Sequence, residues 1–135
     1  MAIRILIVDD HAKIRNVLWR HLQDEEDFVV VGEAVDGRDG VAKAEELLPD
    51  VILMDVAMPE MDGIDATRLI SERLPQVKVM MISIYNSSDH CLRAMRAGAQ
   101  GYLLKESIAV EVTPAIRTIM SGQRYFGEGV ARPDK

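Results

Sequence analysis

Residues 3–10 read Ile3-Arg4-Ile5-Leu6-Ile7-Val8-Asp9-Asp10, and this stretch decides the fold. A β-branched run with a single arginine ends abruptly in paired carboxylates. Strands buried on both faces look like this, because helices cover both sides of a parallel sheet and remove the polar alternation. Similar runs recur at residues 29–31, 51–54, 77–82 and 102–104. Asp55 follows the third run, Ser83 ends the fourth and Lys105 ends the fifth.

Helical spacing fills the gaps between runs. Ile14, Val17, Leu18 and Leu22 form an apolar stripe after the first strand. Val41, Ala44 and Leu48 do so after the second, and Cys91, Leu92 and Met95 after the fourth. Leu69, Ile70 and Leu74 give a weaker stripe, and Ile116, Ile119 and Met120 follow the fifth strand. Pro49 and Pro75 end two of these helices, since proline cannot continue one. Ser87 or Ser88 caps the fourth helix, and Gly98 closes it in a left-handed conformation. Strands alternating with helices imply βα units, a parallel sheet and helices on both of its faces. Pro114 leaves the last helix open to two readings: it starts at Thr113 and Pro114, or near Ser107 with a kink. After Gly122 the pattern stops, and residues 123–135 read as a tail or linker.

Composition bounds the function. A chain of 135 residues, 48% hydrophobic and 28% charged, is one globular domain. A net charge of −6 argues against nucleic-acid binding by this piece. The single cysteine, Cys91, excludes a disulfide framework and a multi-cysteine zinc site and reads as a core thiol. No apolar run approaches the ~18 residues of a membrane span, and the N-terminus is no signal peptide. A cytoplasmic setting without membrane contact is the expectation.

In open parallel sheets, ligands bind outside the carboxyl ends of the strands. Four strand ends here offer Asp9, Asp10, Asp55, Ser83 and Lys105 to one crevice. Two like charges ~4 Å apart cost about 4 kcal/mol at an effective dielectric of about 20. Three carboxylates must therefore raise a pKa or bind a cation. Oxygen ligands suit a hard cation, and Mg²⁺ is the expected one. Carboxylates, Mg²⁺, a hydroxyl and a lysine meet the needs of phosphoryl transfer.

Each residue also has a plainer reading. Asp9 and Asp10 are acceptable as helix N-terminal acids. Lys105 alone would be a solvated cation and Tyr102 alone a core residue. His11 is expected to line the loop and His21 to be half-buried. Trp19 lies off the first apolar stripe and suggests a contact surface. It is the convergence that outweighs the plain readings.

With Asp9-Asp10, the stretch MDVAMPEMDG at residues 54–63, Ser83, the approach Gly98-Ala99-Gln100-Gly101-Tyr102 and Lys105 in view, the chain resembles a response-regulator receiver domain of two-component signalling. The resemblance covers residues 1–122. It implies an α/β, flavodoxin-like (βα)5 three-layer sandwich with a parallel sheet of order 2-1-3-4-5. It makes Asp55 the phosphoacceptor, served by a sensor histidine kinase. It assigns Mg²⁺ to Asp10, Asp55 and the backbone carbonyl of Ala57, with Asp9 acting through water. Ser83 and Lys105 would hold the phosphoryl group, Tyr102 would be the aromatic switch, and Pro59 and Gly63 would shape the loop. Asp9-Asp10-His11 and residues 122–126 resemble the branch whose receivers precede a helix-turn-helix DNA-binding domain. That implies DNA contact only through a domain absent from this chain, a cut at 135, and a homodimer on activation. Ile84 and Pro114 depart from the family pattern. The resemblance makes the chain a phosphoacceptor and no enzyme beyond its own phosphorylation and dephosphorylation. Adjacent aspartates and the lack of a cap-sized insertion argue against an Asp-nucleophile phosphatase. The first turn, Asp9-Asp10-His11-Ala12-Lys13, lacks the Gly-rich loop of a nucleotide binder.

Overall fold

The computed structural model describes residues 2–132; residue 1 and residues 133–135, the end of the expected tail, lie outside it. Strands and helices alternate as β1 (Ile3–Val8), α1 (Ala12–Gln23), β2 (Phe28–Ala34), α2 (Gly37–Leu47), β3 (Val51–Asp55), α3 (Gly63–Arg73), β4 (Lys78–Ser83), α4 (Ser88–Ala97) and β5 (Gly101–Leu104). A 3₁₀ turn at Lys105–Ser107, α5 (Ile108–Met120) and β6 (Tyr125–Phe126) complete the chain. The sheet order is β2-β1-β3-β4-β5-β6, parallel throughout. The expected flavodoxin-like order is thus present and is extended by β6.

Side chains alternate across each strand and feed separate cores. Leu6, Val8, Ile52, Met54, Val79 and Met81 face α2, α3 and α4. Ile5, Ile7, Val51, Leu53, Met80 and Ile82 face α1 and α5. Fully burying one such side chain contributes about 1.5–3 kcal/mol, so both layers hold the sheet. β1 and β3, at the centre, are the strands whose runs end in the acidic residues.

Helix ends follow local chemistry. The Ser87 hydroxyl accepts from the amides of Asp89 and His90 and starts α4. Gly98 ends it at φ 112°, where a Cβ would lie 2.1 Å from Ser71 Oγ. Asp36 and Asp62 cap α2 and α3 by accepting from the amides of Asp39 and Asp65.

Some sequence expectations fail for identifiable reasons. Val17 is exposed, because the buried line on α1 runs only through Leu18 and Leu22 with Ile14 beside them. β2 is an edge strand, so Val29 is exposed rather than buried on both faces. Of the two readings of the last helix, the start at Thr113 and Pro114 fails and the start near Ser107 holds: α5 begins at Ile108 and runs through Pro114, which sits exposed on its outer side. The segment after Gly122 is not patternless: Tyr125 pairs with Gly101 and Phe126 with Tyr102. Trp19 is partly exposed, as its position off the stripe predicts, and His21 is half-buried.

Candidate functional site: an acidic pocket at the strand ends

The β1 and β3 termini stand side by side, with Val8 paired to Met54. Asp9 and Asp55 therefore emerge next to each other, and both are buried. Lys105 reaches back from the end of β5 and lies 3.2 Å from Asp9 Oδ2 and 3.3 Å from Asp55 Oδ1. Asp55 Oδ2 is buried without a hydrogen-bond partner among the described residues.

Such an arrangement is electrostatically tense. Burial pushes the Asp55 carboxyl up to about 6, the Asp9 charge adds to the rise, and Lys105 opposes it. Burial alone would depress Lys105, but the facing Asp55 and Asp9 carboxylates overcome that and shift it upward. An unpaired buried carboxylate oxygen beside a second carboxylate is stable only if something positive or protonated meets it.

The donor set fits a cation. Asp9, Asp10, His11 and Asp55 each offer one ligand atom, and these atoms lie within 4.8 Å of one another. The set adds an imidazole nitrogen to the three carboxylates. His11 Nδ1 comes to 3.1 Å from Asp10 Oδ1 and 3.3 Å from Asp9 Oδ1. The His11 amide also donates to Asp9 Oδ1 at 2.8 Å, which ties the imidazole to the pocket rim.

The remaining predicted residues occupy β4, β5 and the segment after β3. Ser83 is fully buried at the end of β4, the strand next to β3, and its Oγ accepts from the Tyr85 amide at 2.8 Å. Tyr102 is also fully buried and donates its hydroxyl to the Tyr85 carbonyl at 2.7 Å. Ala57 and Pro59 lie exposed in the loop after β3. Gly63 is pressed under that loop: its amide donates to the Val56 carbonyl at 2.7 Å, and a Cβ would fall 1.9 Å from the Asp55 carbonyl oxygen. No side chain fits there, which explains the glycine. Exposed Ile84 lines a cavity with Ser83 and Lys105.

Arg15 escaped sequence reasoning. Its Nη1 donates to the Asp9 carbonyl at 2.6 Å and its Nε to Glu33 at 2.9 Å. The guanidinium clamps the backbone of the acidic turn. An arginine on a helix carries no sequence signal for a carbonyl partner.

A parallel sheet with carboxylates and a lysine at its strand ends defines a receiver of the response-regulator class. The family model described as the response regulator receiver domain matches residues 5–117, and the chain belongs to that family. It is 41% identical over 134 residues to the response regulator protein VraR of Staphylococcus epidermidis, covering 99% of this chain and 62% of that protein. Over 126 residues it is 40% identical to VraR of Staphylococcus aureus, covering 93% of this chain and 60% of that one. The chain thus spans less than two thirds of these relatives. A LuxR-family two-component response regulator from Aurantimonas sp. superposes with TM-score 0.92 at 32% identity, over 96% of this chain and 93% of that one. The receiver domain of the response regulator NarL from Mycobacterium tuberculosis gives 0.86 at 32% identity, over 90% and 98%. Among the described residues no helix is long and apolar enough to cross a membrane.

Proposed function

We propose that Asp55 accepts a phosphoryl group from the phosphohistidine of a sensor kinase, in a Mg²⁺-dependent step, and that the modified state controls an output. The observation that carries this reading is the divided Asp55 carboxylate, with Oδ1 held by Lys105 and Oδ2 buried without a partner. Oδ2 is the nucleophile. Its bond to phosphorus forms as the bond from phosphorus to the histidine nitrogen breaks, and the electron pair stays on the imidazole.

Asp10, Asp55 and the Ala57 carbonyl would hold Mg²⁺, with Asp9 engaged through water. Bound there, the cation supplies charge neutralisation on the transferred group. Lys105 contributes a second positive charge from the opposite side. Ser83 can donate its hydroxyl to a phosphoryl oxygen, and Tyr102 occupies the inward position that such a shift of Ser83 favours. The new charge and acceptor oxygens reorganise the surrounding loops.

The chain acts as a signalling phosphoacceptor rather than an enzyme on other substrates, in the cytoplasm. Residues 1–122 together with β6 form the receiver, and the residues beyond β6 lead toward a DNA-binding output domain that controls transcription. A homodimer forms on activation, which sedimentation with beryllofluoride tests. The central test is intact mass after incubation with Mg²⁺ and a small acyl phosphate. One phosphate adduct is expected, lost in Asp55→Asn; an adduct that persists in that variant overturns the assignment.

A further inference from the structure

The segment after α5 is fastened to the site's own loop. Gly127 donates its amide to the Tyr102 carbonyl at 2.9 Å, continuing the β6 pairing. Tyr125 donates its hydroxyl to Glu111 Oε1 at 2.6 Å, and the Glu128 amide lies 3.0 Å from both oxygens of that carboxylate. Beyond Gly129, a glycine at φ 84°, the chain reaches the loop between β4 and α4. There the Asn86 side chain grips two backbone groups. Its Nδ2 donates to the Gly129 carbonyl at 2.8 Å, and its Oδ1 accepts from the Ala131 amide at 2.6 Å.

Asn86 shares its loop with the two contacts that define the state of the pocket. The Tyr85 amide donates to Ser83 Oγ, and the Tyr85 carbonyl accepts from the Tyr102 hydroxyl. Tyr85 is further fixed by stacking on His90, with ring centroids 4.5 Å apart. Ser83, Tyr85 and Asn86 thus lie within one stretch of four residues that joins the pocket to the clasp. The grip itself is solvent-exposed, with Val130 adding a partly buried apolar contact, so it belongs to the least stable part of the fold.

We propose that residues 129–132 are a strap clasped by Asn86, and that occupation of Asp55 releases it. The proposal rests on the phosphoacceptor reading. When the Ser83 hydroxyl turns toward an anionic group on Asp55, its oxygen leaves the Tyr85 amide. The loop then moves, and Asn86 withdraws from Gly129 and Ala131. β6 stays, because Tyr125 is held by Glu111 and by the β5 backbone rather than by the loop. Glu128 stays with it, its amide on the Glu111 carboxylate, and Gly129, at φ 84°, is the hinge.

Amide hydrogen exchange on the 135-residue chain tests this, with Mg²⁺ alone and with Mg²⁺ plus beryllofluoride. Fluorine NMR reports beryllofluoride binding separately. With Mg²⁺ alone the Ala131 amide is expected to be protected. With beryllofluoride bound, its exchange should rise at least about tenfold while Ile119 in α5 is unchanged. Asn86→Ala should bind beryllofluoride normally and expose Ala131 in both conditions. Bound beryllofluoride with unchanged Ala131 exchange overturns the coupling and leaves the phosphoacceptor reading standing. Absence of a bound-fluoride signal overturns that reading and the strap with it. An unprotected Ala131 in the wild type with Mg²⁺ alone, or a protected one in Asn86→Ala, overturns the clasp.

Discussion

Lys105 Nζ stands 3.3 Å from Asp55 Oδ1, while Oδ2 of the same carboxylate is buried and unpartnered. One half of the group is held and the other half is offered. The same ammonium lies 3.2 Å from Asp9, so a single cation serves two buried acids. The pocket is short of positive charge by construction, and its energetics follow from that shortage.

The first consequence is a pH dependence. The Asp55 carboxyl titrates near 3.8 when exposed and is raised to about 6 in the fold. The folded state therefore binds more protons between these values, and stability falls as pH rises through them. Asp55→Asn removes the effect. It should exceed the wild type at pH 7.5 by on the order of 1–3 kcal/mol and lose that advantage by about pH 4. Urea melts at the two pH values measure it; an equal gap at both would contradict the assignment.

Magnesium should act in the same sense. A ligand bound only by the folded state adds about 2.7 kcal/mol at a hundred times its Kd. Thermal melts without phosphodonor should therefore rise with Mg²⁺ concentration at pH 7.5. The rise should shrink in Asp10→Asn. It should also shrink at pH 5, where Asp55 is largely protonated. A wild-type melt indifferent to Mg²⁺ would remove the cation from the pocket.

Gly63→Ala forces a methyl group onto the Asp55 carbonyl, 1.9 Å away. Backbone cannot yield as a side-chain end does, so the β3 terminus must shift. A loss of about 2–4 kcal/mol is expected in denaturant melts, with weaker Mg²⁺ stabilisation because Asp55 moves.

Pro114 interrupts α5 without ending it. Its missing N–H leaves the Val110 carbonyl without its helical donor, at an exposed position. Pro114→Ala should stabilise the chain by about 1–3 kcal/mol and leave phosphorylation by acyl phosphate unchanged. A destabilised variant would mean that the ring makes a contact the helix needs.

The strand ends were readable from sequence because burial writes itself into composition. A run such as residues 51–54 has one fate, and Asp55 directly after it has one location. The same logic brought Asp9, Asp10 and Lys105 to the crevice. What sequence could not carry were partnerships with backbone and positions set by sheet order. Arg15 meets the acidic turn through a carbonyl, and Asn86 serves a carbonyl and an amide, so neither of these contacts has a partner residue type to look for. Val29 resembles a core residue until β2 is known to be outermost. Tyr125 and Phe126 are too few to show a period, and their strand exists because Glu111 and β5 supply the partners.

β6 also has a bearing on colloidal behaviour. A parallel sheet of apolar strands is a template for aggregation wherever a margin is left bare. On one margin β2 is irregular, its register skipping from Val30 to Gly32 opposite Ile5 and Leu6. On the other, a two-residue strand covers β5 and turns the chain away at Gly127. The protein thus shields its stickiest backbone with its own continuation. Shortening it to residue 122 would be expected to cost solubility before it cost any chemistry at Asp55.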